Sequence, residues 1–593
     1  MKKFIITLFI ASVALCSCTS FMDLRPTGAY TSDNVDHYPK LTRGYVEKAY
    51  HLLIASSSYL SNEYAYLDAA TDDALFSLPS ADMRRFASGD GILTWNPFSS
   101  YWSRDYQAIY YVNLFLKDNR GYNTQYLVDH QQDKELRNYL QGDAYGLRAW
   151  AYLDLLRKFG GVDEKGNLSG VCIMDEPRDI TGMIPEDIVR SSYDACMQHI
   201  LDDCDSALVY LPLANRDFAL AEGESTYVGG GIRYKALDRV TVKCIKALAY
   251  LTWASPAFNP GGDKTRYAEA AKLAYEVIAY KRDVEGPQGF DPAARVQWTD
   301  KNSPEIIWRH DTDSKLYEES FYPVKFGGTA DLVPSQNLVN AFPMANGFPI
   351  DDHRSGYNMS DPYHGRDPRF YSCIFYSGSS ILRNGLAGSP MYTFDMSKGG
   401  FDAPGQSGTS SSGYYIKKFI FAGYNPYDAT VSTQSRCVFA FRWTHALLMF
   451  AEAASQAYGP TDATLGMSAR DAIASIRSRY TYDDEPGLGA KVIDFYLDEC
   501  SASADKFLDL VKNEWRIETC FEGWRFYNVR RWAKSVDEIN VPVYGASFNS
   551  SGYVNTRTQL YTLSFPSLSM PIPYTEFRKA PELLQNGGWE SWK

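Results

Sequence analysis

Apolar side chains recur at steps of three and four residues in several windows of the chain. In the clearest window this spacing joins Tyr145, Ala149, Tyr152, Leu156 and Phe159. Residues so spaced share one face of a helix, and the two glycines at 160–161 suit its end. The same spacing, flanked by glycine or proline, predicts further helices over residues 189–211, 240–254, 267–278 and 447–458.

Alanines occupy several contact positions of these helices, which lets neighbouring helices pack closely. Helix pairs of this kind stack into solenoids, as in tetratricopeptide repeats, although the chain has no strict repeat of roughly 34 residues. The sequence therefore predicts a mainly α protein with a tetratricopeptide-repeat-like helical scaffold, an α/α superhelix whose repeats are degenerate.

A second part of the chain has a different character. Between residues 285 and 435, glycine, proline, serine and aromatic residues interrupt every periodic run, and alternations such as residues 370–375 indicate small strands. A last helical block is predicted over residues 504–532, and residues 541–568 have strand potential. We expect a helical lobe over residues 18–320 and a loop-rich second lobe with short strands over residues 321–593.

The amino-acid composition limits the kinds of partner that are expected. The chain has 593 residues and a net charge of -12, with 59 Lys and Arg against 71 Asp and Glu. Proteins that bind nucleic acid in general carry a basic surface, so a nucleic-acid partner is not expected. Aromatic residues make up 15% of the chain, more than an aliphatic core requires. Some rings are therefore expected at the surface, where they serve as binding platforms.

The first residues resemble an export signal. Residues 1–17 combine two lysines, an uncharged apolar run over residues 4–15 that is too short to span a bilayer, and small residues at the end. The end reads LCSC, which resembles the bacterial lipobox and makes Cys18 the lipid-bearing mature N-terminus. The alternative is ordinary cleavage after residues 12–14, which would leave a secreted protein without lipid.

Motifs of common catalytic mechanisms are absent from the sequence, including GxSxG, GxxxxGK[ST], GxGxxG and HExxH. Glu514, Glu518 and Glu522 follow one another at helical spacing, close to the separation that a retaining glycoside hydrolase requires. Several arginines crowd the same predicted helix, among them Arg525, Arg530 and Arg531. We therefore expect structural ion pairs with lowered carboxyl pKa values, the reverse of what a general acid needs.

The spacing of the cysteines does not indicate a cofactor site. Eight of them follow Cys18, without a CxxC pair and without a histidine cluster of metal-ligand spacing, so neither a metal nor another cofactor is expected. Several fall on the apolar stripes of predicted helices, which favours buried free thiols. Disulfides are permitted outside the cytoplasm, but the spacing does not demand any.

Several motifs, in this order along the chain, resemble those of the SusD-like (RagB/SusD) family of outer-membrane nutrient-binding lipoproteins. The longest is residues 512–532, KNEWRIETCFEGWRFYNVRRW, which resembles the family pattern "ER..EL..EG.R..DLRRW". Asn528, Trp515 and Cys520 depart from that pattern. The other similar segments are residues 21–28 (FMDLRPTG), 144–161 (AYGLRAWAYLDLLRKFGG), 334–342 (PSQNLVNAF), 366–371 (RDPRFY), 570–573 (MPIP) and 585–586 (QN).

The resemblance implies a protein tethered at the cell exterior by its N-terminal lipid, capping a SusC-like TonB-dependent transporter in the outer membrane. Its implied work is to capture oligosaccharide and deliver it to that pore, without catalysis. A peptide or another nutrient as ligand is the alternative within the family. A surface glycoside hydrolase is the alternative from another class of protein.

Two groups of residues have the chemistry to hold a sugar, because flat rings stack on apolar sugar faces while Arg and Asn reach hydroxyl groups. The first group is Arg84, Arg85, Trp95, Asn96 and Trp102. The second group is Trp298, Trp308 and Tyr317. The competing interpretation is that each tryptophan packs in the core and that each arginine is solvated or ion-paired.

Overall fold

A computed structural model of the chain describes residues 38–55, 65–90, 96–177, 188–215, 236–284, 303–313, 320–382, 390–420, 435–479, 494–550 and 552–593. The proposed signal segment and Cys18 lie outside these residues. No helix in the described ranges is long and apolar enough to cross a membrane.

Helices dominate the first half of the chain. They are α1 (Pro39–Tyr50, continued by a π-helical turn at His51–Ala55), α2 (Ala65–Asp68), α3 (Asp82–Ala87), α4 (Ser99–Leu116), α5 (Arg120–Asn123), α6 (His130–Phe159), α7 (Tyr193–Tyr210), α8 (Arg239–Ala254) and α9 (Thr265–Val284). The second half contributes α10 (Gln336–Ala341), α11 (Pro368–Cys373), α12 (Trp443–Ala457), α13 (Ala469–Ser478), α14 (Phe495–Ser501), α15 (Ala504–Glu518), α16 (Trp524–Trp532) and α17 (Tyr574–Lys579).

Strands form small antiparallel pairs. The strands are β1 (Ala74–Phe76), β2 (Gly161–Val162), β3 (Leu168–Ser169), β4 (Ile306–Asp313), β5 (Leu332–Pro334), β6 (Ile374–Phe375), β7 (Ser380–Leu382), β8 (Met391–Thr393), β9 (Tyr415–Ile416), β10 (Ser435–Arg442), β11 (Pro542–Asn549) and β12 (Gly552–Thr562). The pairs are β1 with β5, β2 with β3, β4 with β10, β6 with β9, β7 with β8, and β11 with β12.

The long helices stack in sequence order. Helix α1 packs on α4, α4 on α6, α6 on α7, and the series continues through α8, α9 and α12 to α13 and α15. Small residues permit the close approaches: a Cβ on Gly142 of α6 would lie 2.5 Å from Leu211 Cγ. The mainly α, tetratricopeptide-repeat-like scaffold with short strands in its loop-rich part is thus confirmed.

The C-terminal segment closes the fold against the end of α6. Asn586 donates from Nδ2 to the carbonyl of Phe159 at 2.8 Å and to that of Met570 at 2.8 Å. Gln585 accepts from the backbone N–H of Ile572 at 2.8 Å. The motif at residues 570–573 and the pair at 585–586 therefore meet in space and hold the C-terminus to the helical array.

Two predicted elements differ in the structure. Residues 370–373, the first part of the alternation over residues 370–375 that indicated a strand, lie in helix α11. The helix begins at Pro368 because proline suits the first helical position and the Asp367 side chain caps the N–H of Arg369. Only Ile374–Phe375 is a strand there. The predicted helical block over residues 504–532 is two helices, α15 and α16, separated by a turn.

Candidate functional site

The turn between α15 and α16 spans residues 519–523 and interrupts the longest family-like motif. Phe521 (φ 64°) and Gly523 (φ 77°) adopt left-handed backbone conformations, which a continuous helix cannot contain. Glycine tolerates this conformation freely, whereas a phenylalanine adopts it only where its surroundings fix it. Glu522 therefore leaves the helix that carries Glu514 and Glu518.

Glu522 is held by basic side chains from distant segments. Its Oε1 lies 2.7 Å from Lys418 Nζ and 2.9 Å from Arg442 Nη2, and its Oε2 lies 3.1 Å from His445 Nε2. Burial alone would raise the pKa of Glu522, but the charges of Arg442 and Lys418 outweigh burial and hold the pKa well below its usual range. The carboxylate is an anchor for the turn.

Glu518 and Glu514 belong to the same buried network. Glu518 Oε1 lies 3.2 Å from Arg442 Nη1 and 3.1 Å from Arg479 Nη2. Burial would raise the pKa of Glu518, yet Arg479 and Arg442 lower it to about 2. Glu514 contacts Arg369 at 2.8 Å and Arg477 at 2.7 Å. Glu305 joins the network through Arg442 at 3.1 Å and through Arg479.

These contacts bear directly on the glycoside hydrolase alternative. A general acid must hold a proton near neutral pH, which requires a raised pKa. The pKa values of Glu514, Glu518 and Glu522 are instead lowered, because arginine or lysine side chains outweigh the effect of burial at each position. The three carboxylates are buried and paired, so their geometry supports a structural role.

The arginines of the motif pair with acids outside the two helices. Arg525 Nη2 lies 3.0 Å from Asp72 Oδ1, and Arg531 Nη2 lies 2.6 Å from Glu452 Oε2. These acids lie just before β1 and within α12, so the motif connects elements from both halves of the chain.

Arg530 does not form the ion pair that the sequence predicted for it. No carboxylate among the described residues contacts it. Its guanidinium carbon lies 3.9 Å from the ring centre of Phe526 and 4.6 Å from that of Phe565, and Nη1 donates to the carbonyl of Phe526 at 3.0 Å. Burial lowers the pKa of Arg530. The charge is therefore accommodated by aromatic faces and carbonyl groups.

A ring-lined pocket lies beside the turn, between α6, α16 and the end of β10. Its volume is about 40 Å³, room for water-sized groups only, so a larger ligand would contact its rim. The lining side chains that offer rings or charges are Trp150, Asp154, Arg157, Phe439, Glu522, Trp524 and Tyr527.

Arg157 and Tyr527 form the half-buried rim of this pocket. The Arg157 guanidinium carbon lies 3.6 Å from the ring centre of Tyr527 and 5.5 Å from that of Trp524. Asp154 is paired with Lys158 and Arg104 at 2.5 Å each, and these cations lower its pKa against the effect of burial. The rim thus combines flat rings with hydrogen-bond donors, the chemistry that a sugar requires.

The arginines predicted from sequence as ligand contacts differ in exposure. Arg84 is buried; it donates to the carbonyls of Phe76 and Ser77 at 2.9 and 3.0 Å and lies 5.0 Å from the Tyr561 ring centre. The side chain of Arg85 keeps 30% exposure. Arg85 is therefore the arginine of the pair that a ligand could reach.

Two predicted tryptophans lie inside the fold, and the half-buried Asn96 is bonded to the backbone. Asn96 donates to the carbonyl of Pro571 at 3.0 Å and accepts from the N–H of Phe98 at 2.8 Å, which fixes the start of α4. Trp102 is 4% exposed and Trp308 is 1% exposed. Trp308 meets Trp150 edge-on at 5.6 Å. Trp95, Trp298 and Tyr317 lie outside the described residues, so their ligand role stays a prediction.

The sequence pattern did not single out the pocket rim or the remote cations. Arg157, Trp524 and Tyr527 lie within segments that carry the family resemblance, but nothing in their spacing shows that α6 and α16 meet there. The available signal is the i, i+3 spacing of Trp524 and Tyr527 and of Asp154 and Arg157, which places each pair on one helix face. In the described parts of the chain, no group of three or more His, Cys, Asp or Glu side chains could hold a metal ion.

Comparison with known families agrees with this architecture. Residues 296–589 match the SusD family model, and residues 20–220 match a SusD-like model described as starch-binding associating with outer membrane. The chain belongs to the SusD family. This membership supports a nutrient-binding role in association with the outer membrane. The chain matches no curated protein sequence.

Solved structures share the fold over nearly the whole chain. A SusD-like protein from Bacteroides fragilis is 24% identical, with a TM-score of 0.70 over 93% of this chain and 98% of that one. A SusD-like carbohydrate binding protein from the same species is 16% identical, with a TM-score of 0.66 over 92% and 99%. A SusD homolog from Bacteroides thetaiotaomicron is 17% identical, with a TM-score of 0.63 over 94% and 99%.

Proposed function

We propose that this protein is a lipid-anchored receptor on the cell exterior that binds oligosaccharides without cleaving them. It then passes them to a SusC-like TonB-dependent transporter in the outer membrane. The observation that carries this proposal is the match of two SusD family models, one of them named for starch binding, along most of the chain.

Sugar binding is supported by the chemistry of accessible side chains. At the pocket rim, the Tyr527 ring and the Arg157 guanidinium lie 3.6 Å apart and are half-buried. A sugar can place an apolar face against such a ring while its hydroxyl groups accept from the guanidinium. Arg85 and the predicted rings Trp95, Trp298 and Tyr317 are proposed as a second contact region.

Binding without catalysis is supported by the burial and ion pairing of the three glutamates at helical spacing. The carboxylates of Glu514, Glu518 and Glu522 are buried and paired with cations, and their pKa values are lowered. None of them is suited to donate a proton to a leaving group. Weak, reversible contacts also suit a receptor that must release its ligand to a transporter.

The anchor is proposed at Cys18, and mass spectrometry of the mature N-terminal peptide tests it. We expect a diacylglyceryl-modified Cys18 in membrane fractions and loss of membrane association in the Cys18→Ser variant. An unmodified N-terminus beginning elsewhere, on a freely soluble chain, would contradict the anchor.

The transporter partner is tested by co-purification of the full lipoprotein from native outer membranes in mild detergent. We expect a TonB-dependent barrel to copurify in a fixed ratio, and to be identified by peptide sequencing. Isolation of the lipoprotein alone at every detergent concentration would argue against a stable complex.

Ligand class is tested with the purified mature chain in affinity gels that contain soluble polysaccharide. We expect retardation by at least one glycan, and its loss in Trp95→Ala or Trp298→Ala with little change in melting temperature. Loss of folding in either variant would place that ring in the core. Calorimetric binding of peptides but of no oligosaccharide would favour the peptide alternative.

A further inference from the structure

One aromatic ring of the second lobe is exposed to solvent close in sequence to a buried aromatic cluster. Phe401 is 69% exposed, the largest exposed fraction of any Phe, Tyr or Trp among the described residues. A few residues earlier, Phe394 packs with Phe326 and Tyr415 in a small core of its own. The fold therefore buries the neighbouring rings and leaves Phe401 outside.

The loop that carries Phe401 is anchored by the residue that follows it. Asp402 is buried, and its carboxylate accepts from the Tyr392 hydroxyl at 2.8 Å and from the N–H of Asp395 at 2.9 Å. The N–H of Asp402 donates to the carbonyl of Asp395 at 2.9 Å. Because Asp402 is fixed in the interior, the position of Phe401 is set by contacts of the loop itself.

A lysine from another segment lies against the ring. The Lys325 ammonium is 3.0 Å from the centre of the Phe401 ring. Lys325 belongs to the short 3₁₀ turn Val324–Phe326, and the N–H of Val324 donates to the carbonyl of Gly408 in the same loop at 3.2 Å. The cation–π contact occupies one face of the ring, and the high exposure leaves the opposite face open.

This arrangement suits a ligand that stacks on a flat surface. A ring whose orientation is already fixed loses little conformational freedom when a ligand settles on it. The apolar C–H face of a pyranose sugar is flat enough to stack on such a ring, while its hydroxyl groups turn toward polar side chains and water.

The surroundings of Phe401 favour a sugar over a protein partner. Val324 adds one exposed aliphatic side chain, whereas the exposed side chains of the loop on either side of Phe401 include Lys398, Gln406 and Ser407, which are polar. The centre of a protein interface is usually a contiguous apolar patch. A single ring among hydrogen-bonding groups corresponds better to one sugar face bordered by hydroxyl groups.

We propose that the open face of Phe401 is a further stacking site for a pyranose unit of the oligosaccharide. The inference rests on the proposed function, because it requires that the protein binds oligosaccharide. It extends the binding surface to a loop of the second lobe that belongs neither to the pocket rim nor to the two groups of residues predicted from the sequence. Lys325 acts as a positioning residue, since its ammonium holds the ring from the other side.

The first test is hydroxyl-radical footprinting of the full mature chain, with and without oligosaccharide. The probe is the tightest binder among fragments of starch, xylan, mannan and pectin. Oxidation of Phe401 is read by tandem mass spectrometry of the tryptic peptide 399–417, and oxidation of the control Phe495, which is 61% exposed on α14, is read from the peptide 492–506. We expect the probe to protect Phe401 severalfold and to leave Phe495 unchanged. Equal oxidation of Phe401 with and without a bound probe would overturn the proposal.

The second test measures the affinity of variants for the same probe by calorimetry. Phe401→Ala should weaken binding about three- to tenfold, and Phe401→Tyr should restore most of that loss because it keeps the ring. The matched control Phe495→Ala removes an exposed ring elsewhere and should bind as the wild type does. Because both phenylalanines are exposed, melting temperatures should stay close to that of the wild type.

The outcomes separate this site from the proposed function. Unchanged affinity in Phe401→Ala, while the wild type binds the probe, would overturn the stacking site and leave the receptor function standing. Failure of the wild type to bind any of the four glycans would overturn both. Protection of Phe401 in the detergent-solubilised membrane complex, with no effect of glycan, would assign the ring to a protein interface and overturn the stacking site.

Discussion

Arg442 and Glu522 form a buried ion pair, with 2.9 Å between Nη2 and Oε1, although 80 positions separate them in the sequence. Arg442 ends β10 and Glu522 lies in the turn between α15 and α16. The pair locks that turn to the start of α12. The longest family-like motif is therefore a structural junction that brings the helical scaffold and the pocket rim together.

Removing Arg442 should be strongly destabilising. The Arg442→Ala variant leaves Glu522 and Glu518 buried with fewer cations, and we expect a loss of about 3–5 kcal/mol in unfolding free energy. Urea unfolding followed by circular dichroism measures it. The matched control is Arg470→Ala, because Arg470 contacts Asp498 at 2.6 Å at an exposed site. The control should lose less than about 1 kcal/mol. Equal losses in both variants would contradict the junction.

The same network predicts an acid-sensitive fold. The arginines lower the pKa of Glu518 to about 2 from an ordinary value of 4.5. Since the folded state holds the ionised form, the stabilisation is complete above the unfolded pKa and is lost as pH falls from about 4.5 toward 2. Melting temperature measured between pH 7 and pH 3 should fall steeply in the wild type. Glu518→Gln should be less stable at pH 7 and less dependent on pH, and an equally steep fall in that variant would count against the assignment.

Asp68 should make the protein less stable as pH rises, whereas Glu518 makes it less stable as pH falls. Burial and the nearby charge of Asp73 raise its pKa well above the ordinary value of 3.8. As pH rises through the unfolded pKa, the unfolded carboxyl ionises freely and the folded one does not, so stability is lost up to the folded pKa. Asp68→Asn keeps an acceptor for the N–H of Gly523 and removes this loss.

The measurement for Asp68 is the difference in unfolding free energy between variant and wild type from pH 4 to pH 8. We expect this difference to grow in favour of Asp68→Asn, by about 1.4 kcal/mol for each unit of raised pKa that is crossed. A flat difference for Asp68→Asn would mean that its carboxyl ionises as it does in water.

Helix positions followed from the sequence where apolar spacing and caps agreed. Residues 145–159 lie in α6, which ends before Gly160 as predicted, and residues 240–254 correspond closely to α8. The prediction of one helical block over residues 504–532 missed the break between α15 and α16, because the helical spacing of apolar residues continues through Phe521. Phe521 is fully buried and has a positive φ, which the local apolar pattern does not reveal.

The site was less predictable for a related reason. The three glutamates were expected to pair with arginines, but their partners come from residues 369–479, and Arg530 lies against aromatic rings instead of an acid. Trp102 and Trp308 have the same side chain as a surface sugar platform, yet they pack in the core. Residue type alone does not separate a buried ring from an exposed one.

Substitutions at the pocket rim should weaken oligosaccharide binding. Tyr527→Ala and Arg157→Ala remove the half-buried ring and the guanidinium that lies 3.6 Å from it. Each variant should weaken oligosaccharide binding about tenfold or more, which corresponds to about 1.4 kcal/mol. The control Tyr574→Ala removes a ring that is 57% exposed at another surface and should bind as the wild type does. Unchanged affinity in both rim variants, with folding intact, would move the binding surface elsewhere.

The most direct test of oligosaccharide binding without cleavage is calorimetric titration of the full mature chain with soluble starch fragments and a panel of other oligosaccharides, followed by chromatography of the recovered ligand. We expect saturable binding of at least one glycan, with every recovered ligand intact. Absence of binding to any glycan, or shortened products from a bound one, would contradict a non-catalytic oligosaccharide receptor.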